Sequence, residues 1–239
     1  MSAPLASDTA MVLAAGLGKR MRPLTAHRPK PMVRVAGKPL IDHALDRLVE
    51  AGVAKAVVNV HYLADALEAH VLGRKAPAVT VSDERELLLE TGGGMLRAAD
   101  RLPDPFFCLN SDNVWLDGPI NAFAELSQVW DADKMDALLL LVPHKRAGNF
   151  RGKGDFHMSG EGRLTRRRPG RVAPFIFTGI QLVAKRLLRD APEGPFSTNL
   201  LWDRAIAEDR LFGQAFSGEW FEVGTPQSIA PTEAALAES

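Results

Sequence analysis

The segment from Met11 to Pro39 places the strongest constraint on the fold. It opens with a short apolar run, Met11-Val12-Leu13-Ala14-Ala15, which reads as a buried strand. The run breaks into Gly16-Leu17-Gly18, where missing side chains let backbone N–H groups approach a ligand. Lys19, Arg20 and Arg22 follow at once, and Pro29-Lys30-Pro31 holds one more lysine between two residues of fixed φ. A strand, a glycine loop and then fixed positive charge make a phosphate cradle. Two commoner glycine motifs are excluded. The dinucleotide fingerprint needs a third glycine where Met21 stands, and the spacing G-x-x-x-x-G-K-[ST] does not occur.

Downstream the pattern alternates. Residues 39–52 carry Leu40, Ile41, Ala44, Leu45, Leu48 and Val49 at helical spacing, with Gly52 as the stop. Residues 54–60 form a β-branched run, 64–72 an amphipathic helix and 79–81 a short strand. Residues 106–109 and 137–142 are unbroken apolar runs, as expected inside a sheet covered on both faces. This alternation predicts a parallel sheet with right-handed crossovers. The three glycines Gly92-Gly93-Gly94 are expected to sit at the entrance of a helix over 95–100, and 116–130 is expected to be a surface helix. Residues 154–158 and 162–164 suggest a hairpin. Strands follow at 175–183 and 212–216, then a helix over 199–208 capped by Ser197, and a last helix over 227–237.

The chain has 239 residues, 46% of them hydrophobic, which suffices for one domain with its own core. Formal net charge is zero, so no global field favours nucleic acid. Cys108 is the single cysteine and cannot form an internal disulfide, which points to a reducing cytoplasm. No stretch approaches the roughly 20 apolar residues of a membrane span. The expected partners are therefore small molecules, without nucleic acid or membrane, for a monomer or weak homodimer.

GLGKRMRPLT at 16–25, followed by PKPMVRVAGKPLI at 29–41, resembles the signature of the sugar-1-phosphate nucleotidyltransferases. LETGGG at 89–94 resembles their base-binding loop, and Asp112 matches their metal-binding aspartate. Thr178-Gly179-Ile180 is similar to the strand whose glycine admits the sugar ring, and WFEVGTP at 220–226 matches their closing motif. The resemblance implies an α/β fold: a Rossmann-like mixed, mostly parallel sheet flanked by helices, in a single domain. Residues 10–115 would form its nucleotide-binding core and 116–239 its sugar-phosphate-binding part. No hexapeptide repeat is present, so no C-terminal β-helix is expected. The implied reaction is transfer of a nucleotidyl group from a nucleoside triphosphate to a sugar 1-phosphate, with Mg²⁺ as cofactor and pyrophosphate released.

The resemblance also distributes roles. Leu13, Ala14, Ala15, Gly16, Gly18 and Lys19 would bind the nucleotide, with Glu90 and Gly92 at the base. Arg20 would neutralise the β- and γ-phosphates, and Lys30 would bridge the α-phosphate and the sugar phosphate. Asn113, Asp155, Thr178 and Gly179 would hold the sugar phosphate. Asp112 would bind the metal together with a late carboxylate that is normally aspartate and here is Glu222, one methylene longer. The chain is short, carries LETGGG and Gly154-Asp155-Phe156, and has Arg167-Arg168-Pro169 where many relatives carry Glu-Lys-Pro. Within the family this looks most like the N-acetylmuramate-1-phosphate uridylyltransferases. The alternatives are a mannose-1-phosphate guanylyltransferase and a catalytically silent binding module. Nine basic residues between 145 and 171 read as a solvated face or as a wall for an anionic sugar; the lactyl carboxylate of N-acetylmuramate would suit such a loop.

Overall fold

The apolar runs read from the sequence come together as one sheet of nine strands. A computed structural model describes residues 4–148 and 150–238. Its first half runs β1 (Thr9–Leu13), β2 (Arg34–Val35), β3 (Lys38–Pro39), α1 (Leu40–Ala51), β4 (Lys55–Val60), α2 (Ala64–Leu72), β5 (Ala78–Asp83), α3 (Glu90–Ala98), β6 (Phe106–Asn110) and β7 (Asn113–Leu116). The second half runs α4 (Ala122–Val129), β8 (Ala137–Pro143), β9 (Ala147–Gly148), β10 (Phe156–Met158), β11 (Leu164–Arg166), β12 (Phe175–Val183), α5 (Thr198–Ala207), β13 (Leu211–Ala215), β14 (Glu219–Glu222) and α6 (Ile229–Glu238).

The body of the sheet has the order β5-β4-β1-β6-β12-β8-β13. Six of these seven strands run the same way; β12 alone is antiparallel, to β6 on one side and β8 on the other. The hairpin β10–β11 continues from β12 through the pair Phe156 and Phe175. A smaller sheet, β7-β14-β9, lies beside the main one.

Both faces of the sheet are covered, which is why β8 can be apolar throughout. Leu138, Leu140 and Val142 join the core made with α1, α2 and α4, while Ala137, Leu139 and Leu141 join the core made with α3 and α5. Helix α1 buries Ile41, Ala44, Leu45 and Leu48. Its Val49 lies at the margin of that stripe and is 42% exposed, unlike the expectation from spacing alone. Gly52 closes the helix in the left-handed conformation, φ +90°. Cys108 is fully buried in β6, and burial pushes its thiol pKa up to about 12, so it acts as a small apolar side chain. No described helix is long and apolar enough to cross a membrane.

Two elements differ from the sequence expectation. The span 116–130 is not one surface helix: it begins at the end of β7, and α4 buries Ala122, Phe123, Ala124, Glu125 and Leu126 beneath the sheet. Helix α3 starts at Glu90, so the three glycines lie inside it rather than at its entrance. Glycine costs about 1 kcal/mol per residue in a helix. Packing accounts for its use here. A Cβ on Gly92 would collide with the Phe196 ring, and one on Gly93 would lie 2.5 Å from the Gly194 carbonyl. On Gly94 it would lie 2.9 Å from both Asn59 Nδ2 and Glu84 Oε1.

Candidate active site

Strands β1 and β6 are neighbours, and Leu13 and Asn110 are register partners at their carboxyl ends. Ligands bind beyond the carboxyl ends of strands in open α/β sheets. A cavity of about 450 Å³ opens there. Its wall takes Leu13, Ala14, Ala15, Gly16, Gly18, Lys19 and Arg20 from one continuous loop, together with Lys30, Glu90 and Asp112.

The loop is held from behind by specific contacts. Gly18 has φ +60°, and a Cβ there would lie 2.9 Å from Lys30 Cβ, so glycine is required twice over. The Thr25 hydroxyl donates to the Gly18 carbonyl at 2.9 Å. The Ala14 N–H donates to Asn59 Oδ1 at 2.6 Å, and Asn59 Nδ2 donates to Glu84 Oε1 at 2.8 Å. The other oxygen of Glu84 accepts from Leu89 N–H at 3.2 Å. Burial raises the pKa of the Glu84 carboxyl. No protein atom lies within 4 Å of where a Gly16 Cβ would stand, so the space beside this glycine is open. Glu90 has φ +63°, an uncommon conformation for a residue with a side chain. Such outliers cluster where ligands bind.

Two ion pairs involve the charged side chains Arg20, Lys30 and Asp112 of this wall. Lys30 Nζ lies 2.5 Å from Asp112 Oδ2, and Arg20 Nη1 lies 3.5 Å from Glu222 Oε1. Strand β14 pairs Glu222 with Asn113, the residue that follows Asp112 in the chain. Gly224 keeps this corner open: a Cβ there would lie 2.9 Å from Glu222 Oε1 and 3.2 Å from Arg20 Nη1. The pairs differ in exposure, with the Arg20 side chain 68% and the Lys30 side chain 12% accessible. Among the described residues no three His, Cys, Asp or Glu side chains form a metal cluster. A site with two carboxylates suits a hard cation that takes its remaining oxygens from phosphates and water.

A second cavity of about 290 Å³ adjoins the first and shares Leu13, Thr91 and Asn110 with it. Asp155 is in its wall, with Oδ2 accepting from Phe177 N–H at 2.9 Å. The other residues expected at the sugar phosphate lie elsewhere. Asn113 and Thr178 are buried; Asn113 Nδ2 donates to the Thr178 carbonyl at 2.6 Å, and the Thr178 hydroxyl donates to the Leu140 carbonyl at 2.8 Å. Gly179 has φ +84°, and a Cβ there would collide with Asn113 Nδ2 and lie 2.9 Å from Asn110 Nδ2. Thr178 and Gly179 lie at the irregular step in β12 between Phe177 and Gln181, Asn113 of β7 packs against them, and none of the three is in either wall. Gly92 is likewise absent from the wall; its N–H donates to the Phe196 carbonyl at 2.9 Å.

Sequence reasoning did not single out Asn59, Asn110, Gln181, Thr198, Asn199 or Trp202, all of which line one or both of the two cavities. A signal existed for two of them. Asn59 interrupts the apolar run of β4, and Gln181 interrupts that of β12. Both are at most 2% exposed, and buried amides must find partners.

Residues 9–152 match a family model described as Nucleotidyl transferase. N-acetylmuramate alpha-1-phosphate uridylyltransferase of Caulobacter vibrioides is 45% identical, over 98% of this chain and 99% of its own. The protein of the same name from Neisseria meningitidis serogroup B is 34% identical, over 90% of this chain and 93% of its own. Among solved structures, the inositol-1-phosphate CTP transferase from T. maritima superposes with a TM-score of 0.79. It covers 98% of this chain and 96% of its own at 18% identity, a likeness of fold.

Proposed function

The chain belongs to the nucleotidyl transferase family, and we propose that it transfers the uridylyl group of UTP to N-acetylmuramate 1-phosphate, releasing pyrophosphate. End-to-end similarity to uridylyltransferases of that name supports the substrates. The observation that carries the reaction class is the pairing of Lys30 with Asp112 and of Arg20 with Glu222 beside a glycine loop. In this reading residues 10–115 serve the nucleotide and 116–239 the sugar phosphate. The enzyme works in the cytoplasm as a monomer or weak homodimer, with no nucleic-acid or membrane partner.

The chemistry asks for positioning and charge. An oxygen of the sugar 1-phosphate attacks the α-phosphorus, the bond from that phosphorus to the bridging oxygen breaks, and pyrophosphate leaves. The nucleophile is already an anion, so no general base is needed. Two polyanions must nevertheless approach closely, and their repulsion grows as water is excluded. Lys30, little exposed and beside Asp112, would bridge the α-phosphate and the incoming phosphate. Arg20, more exposed, would take the β- and γ-phosphates and follow the leaving group. Backbone N–H groups at Gly16 and Gly18 would add donors without adding bulk. Asp112 and Glu222 would hold Mg²⁺, which neutralises phosphate charge when bound. Both carboxylates are paired with the cations that the phosphates would engage, so arrival of phosphate would free the carboxylates for metal.

The test is pyrophosphate release with Mg²⁺, crossing UTP, GTP, dTTP and CTP against the 1-phosphates of N-acetylmuramate, N-acetylglucosamine, mannose and glucose. Signal confined to UTP with N-acetylmuramate 1-phosphate is the expected result. Signal with GTP and mannose 1-phosphate would keep the reaction class and overturn the substrates. Silence from folded protein across the matrix would leave only a binding module.

A further inference from the structure

We propose that Arg166 receives a carboxylate carried by the sugar, so that the second cavity selects acidic sugar 1-phosphates over their neutral counterparts. The inference rests on the proposed reaction and names the side chain that would set its sugar specificity. Of the nine basic residues between 145 and 171, Arg166 alone stands in the wall of either cavity. Two neighbouring arginines are committed elsewhere. Arg163 pairs with Glu161 and lies over the Phe212 ring, while Arg167 donates from Nε to the Gly154 carbonyl and from Nη1 to the Arg171 carbonyl.

Arg166 is held as a receptor would be. Its Nε donates to Asp203 Oδ1 at 2.7 Å, and its Nη2 donates to the Asn199 carbonyl at 3.2 Å. The guanidinium lies 4.9 Å from the Phe156 ring centre and 5.5 Å from that of Trp202. Trp202 is fixed in turn by its indole N–H donating to Gln181 Oε1 at 3.0 Å. These contacts set the plane of the fork and engage Nε and Nη2, whereas Nη1 carries neither bond. A pre-oriented guanidinium is the side chain suited to planar recognition of a carboxylate.

A second observation points to a ligand in the same wall. Thr198 is 4% exposed and its hydroxyl oxygen has no hydrogen-bond partner. Buried hydroxyls are normally satisfied, so an unused one beside a cavity suggests that something polar completes it. Asp155 is the only other charged side chain in this wall, which leaves Arg166 as its one cation. With its phosphate at Lys30, a sugar passing the shared residues Leu13, Thr91 and Asn110 would project into this space.

The experiment measures kcat/KM for N-acetylmuramate 1-phosphate and for N-acetylglucosamine 1-phosphate, which lacks the lactyl group, in wild type, R166Q and R166K. Wild type should prefer the acidic sugar. R166Q should lose that preference by roughly 10- to 100-fold, through KM of the acidic sugar, as expected for a charge-assisted hydrogen bond. R166K keeps the charge and much of the stem but not the fork, and should lose several-fold; it carries the test if R166Q does not fold. An equal fall for both sugars would mean a structural role, and an unchanged ratio in either folded variant would mean none; both overturn the inference alone. A wild type without preference for the acidic sugar overturns the inference and the proposed substrate together.

Discussion

The larger cavity takes most of its wall from one stretch of chain, residues 13–31, whereas its neighbour gathers Asp155, Arg166, Phe177 and Trp202 from a hairpin, a strand and a helix far apart in sequence. The first is therefore a local object. Its glycines, its cations and its supporting strand are consecutive, and the chain has only to fold back once. The second exists only after β10, β11, β12 and the start of α5 have met. A local wall can be common to many substrates, while an assembled wall can be altered one element at a time. On this comparison the proposed chemistry would belong on the first side and the choice of sugar on the second.

The largest expected effect tests the shared side. Asp112→Asn keeps the size of the side chain and removes the charge that faces Lys30 at 2.5 Å. Turnover should fall by about 10²- to 10³-fold, the scale of losing one preorganised electrostatic partner. Asp112 sits at the mouth rather than in the core, so thermal unfolding should change little. Turnover retained within about tenfold would remove Asp112 from the machinery and place the chemistry elsewhere.

The same comparison explains what could be read before any fold was known. The alternation of strands and helices was legible because each element is short, periodic and punctuated by glycine or proline. The glycine loop, Lys30 and Asp112 were legible because they lie in compact motifs. Asn113, Thr178 and Gly179 also stand in recognisable strings, yet they pack against one another outside both cavity walls, Asn113 from β7 and the other two at the irregular step in β12. A motif marks where backbone geometry is demanding and does not say which side of the backbone the ligand takes. Arg166 was one of nine basic residues with nothing local to distinguish it. Its meaning comes from Asp203, Phe156 and Trp202, which only the tertiary fold brings to it.

Gly92 joins the two regions, so changing it should break the comparison if the sides are independent. The Gly92 and Gly93 N–H groups both donate to the Phe196 carbonyl, and Thr198 N–H donates to Thr91 Oγ1 at 2.9 Å. Gly92→Ala would press its methyl group into the Phe196 ring and displace the segment leading to Ser197, Thr198 and Asn199. Overpacking of this kind costs about 1–3 kcal/mol. Urea denaturation should show that loss, and KM should rise more for the sugar phosphate than for the nucleotide. A larger rise for the nucleotide would mean that α3 serves the base more directly than the sugar.

Glu84→Gln probes the nucleotide side from behind. The carboxyl accepts from both Asn59 Nδ2 and Leu89 N–H, and an amide can satisfy only one of them with oxygen. The expected loss is about 1–2 kcal/mol from the mispaired donor. Its pH dependence has a definite sign. Burial raises the folded pKa, so the native state binds the proton more tightly than the unfolded chain. Wild type holds this contribution fully below the ordinary carboxyl pKa and loses it as pH rises through the raised value. The glutamine variant has no such term. The stability gap between the two proteins should therefore narrow from acidic to neutral pH in paired urea titrations, and a gap that widens would contradict a raised pKa at Glu84.

The smallest effect falls on the sugar side. Ser197 caps α5, with its Oγ accepting from Asn199 N–H at 3.3 Å, and it also lines the second cavity. Ser197→Ala removes a cap whose usual worth is about 1 kcal/mol, and the long hydrogen bond here argues for no more than that. The helix start carries Thr198 and Asn199, whose carbonyl holds Arg166, so fraying there should loosen the fork without touching Lys30 or Asp112. If the walls are separable, equilibrium unfolding will register the small loss, KM for the acidic sugar phosphate will rise a few-fold, and KM for the nucleotide will stay put. Parallel rises in both constants would mean that the start of α5 braces the whole mouth through Phe196 and α3, and that the division between a local and an assembled wall is one of sequence rather than of mechanics.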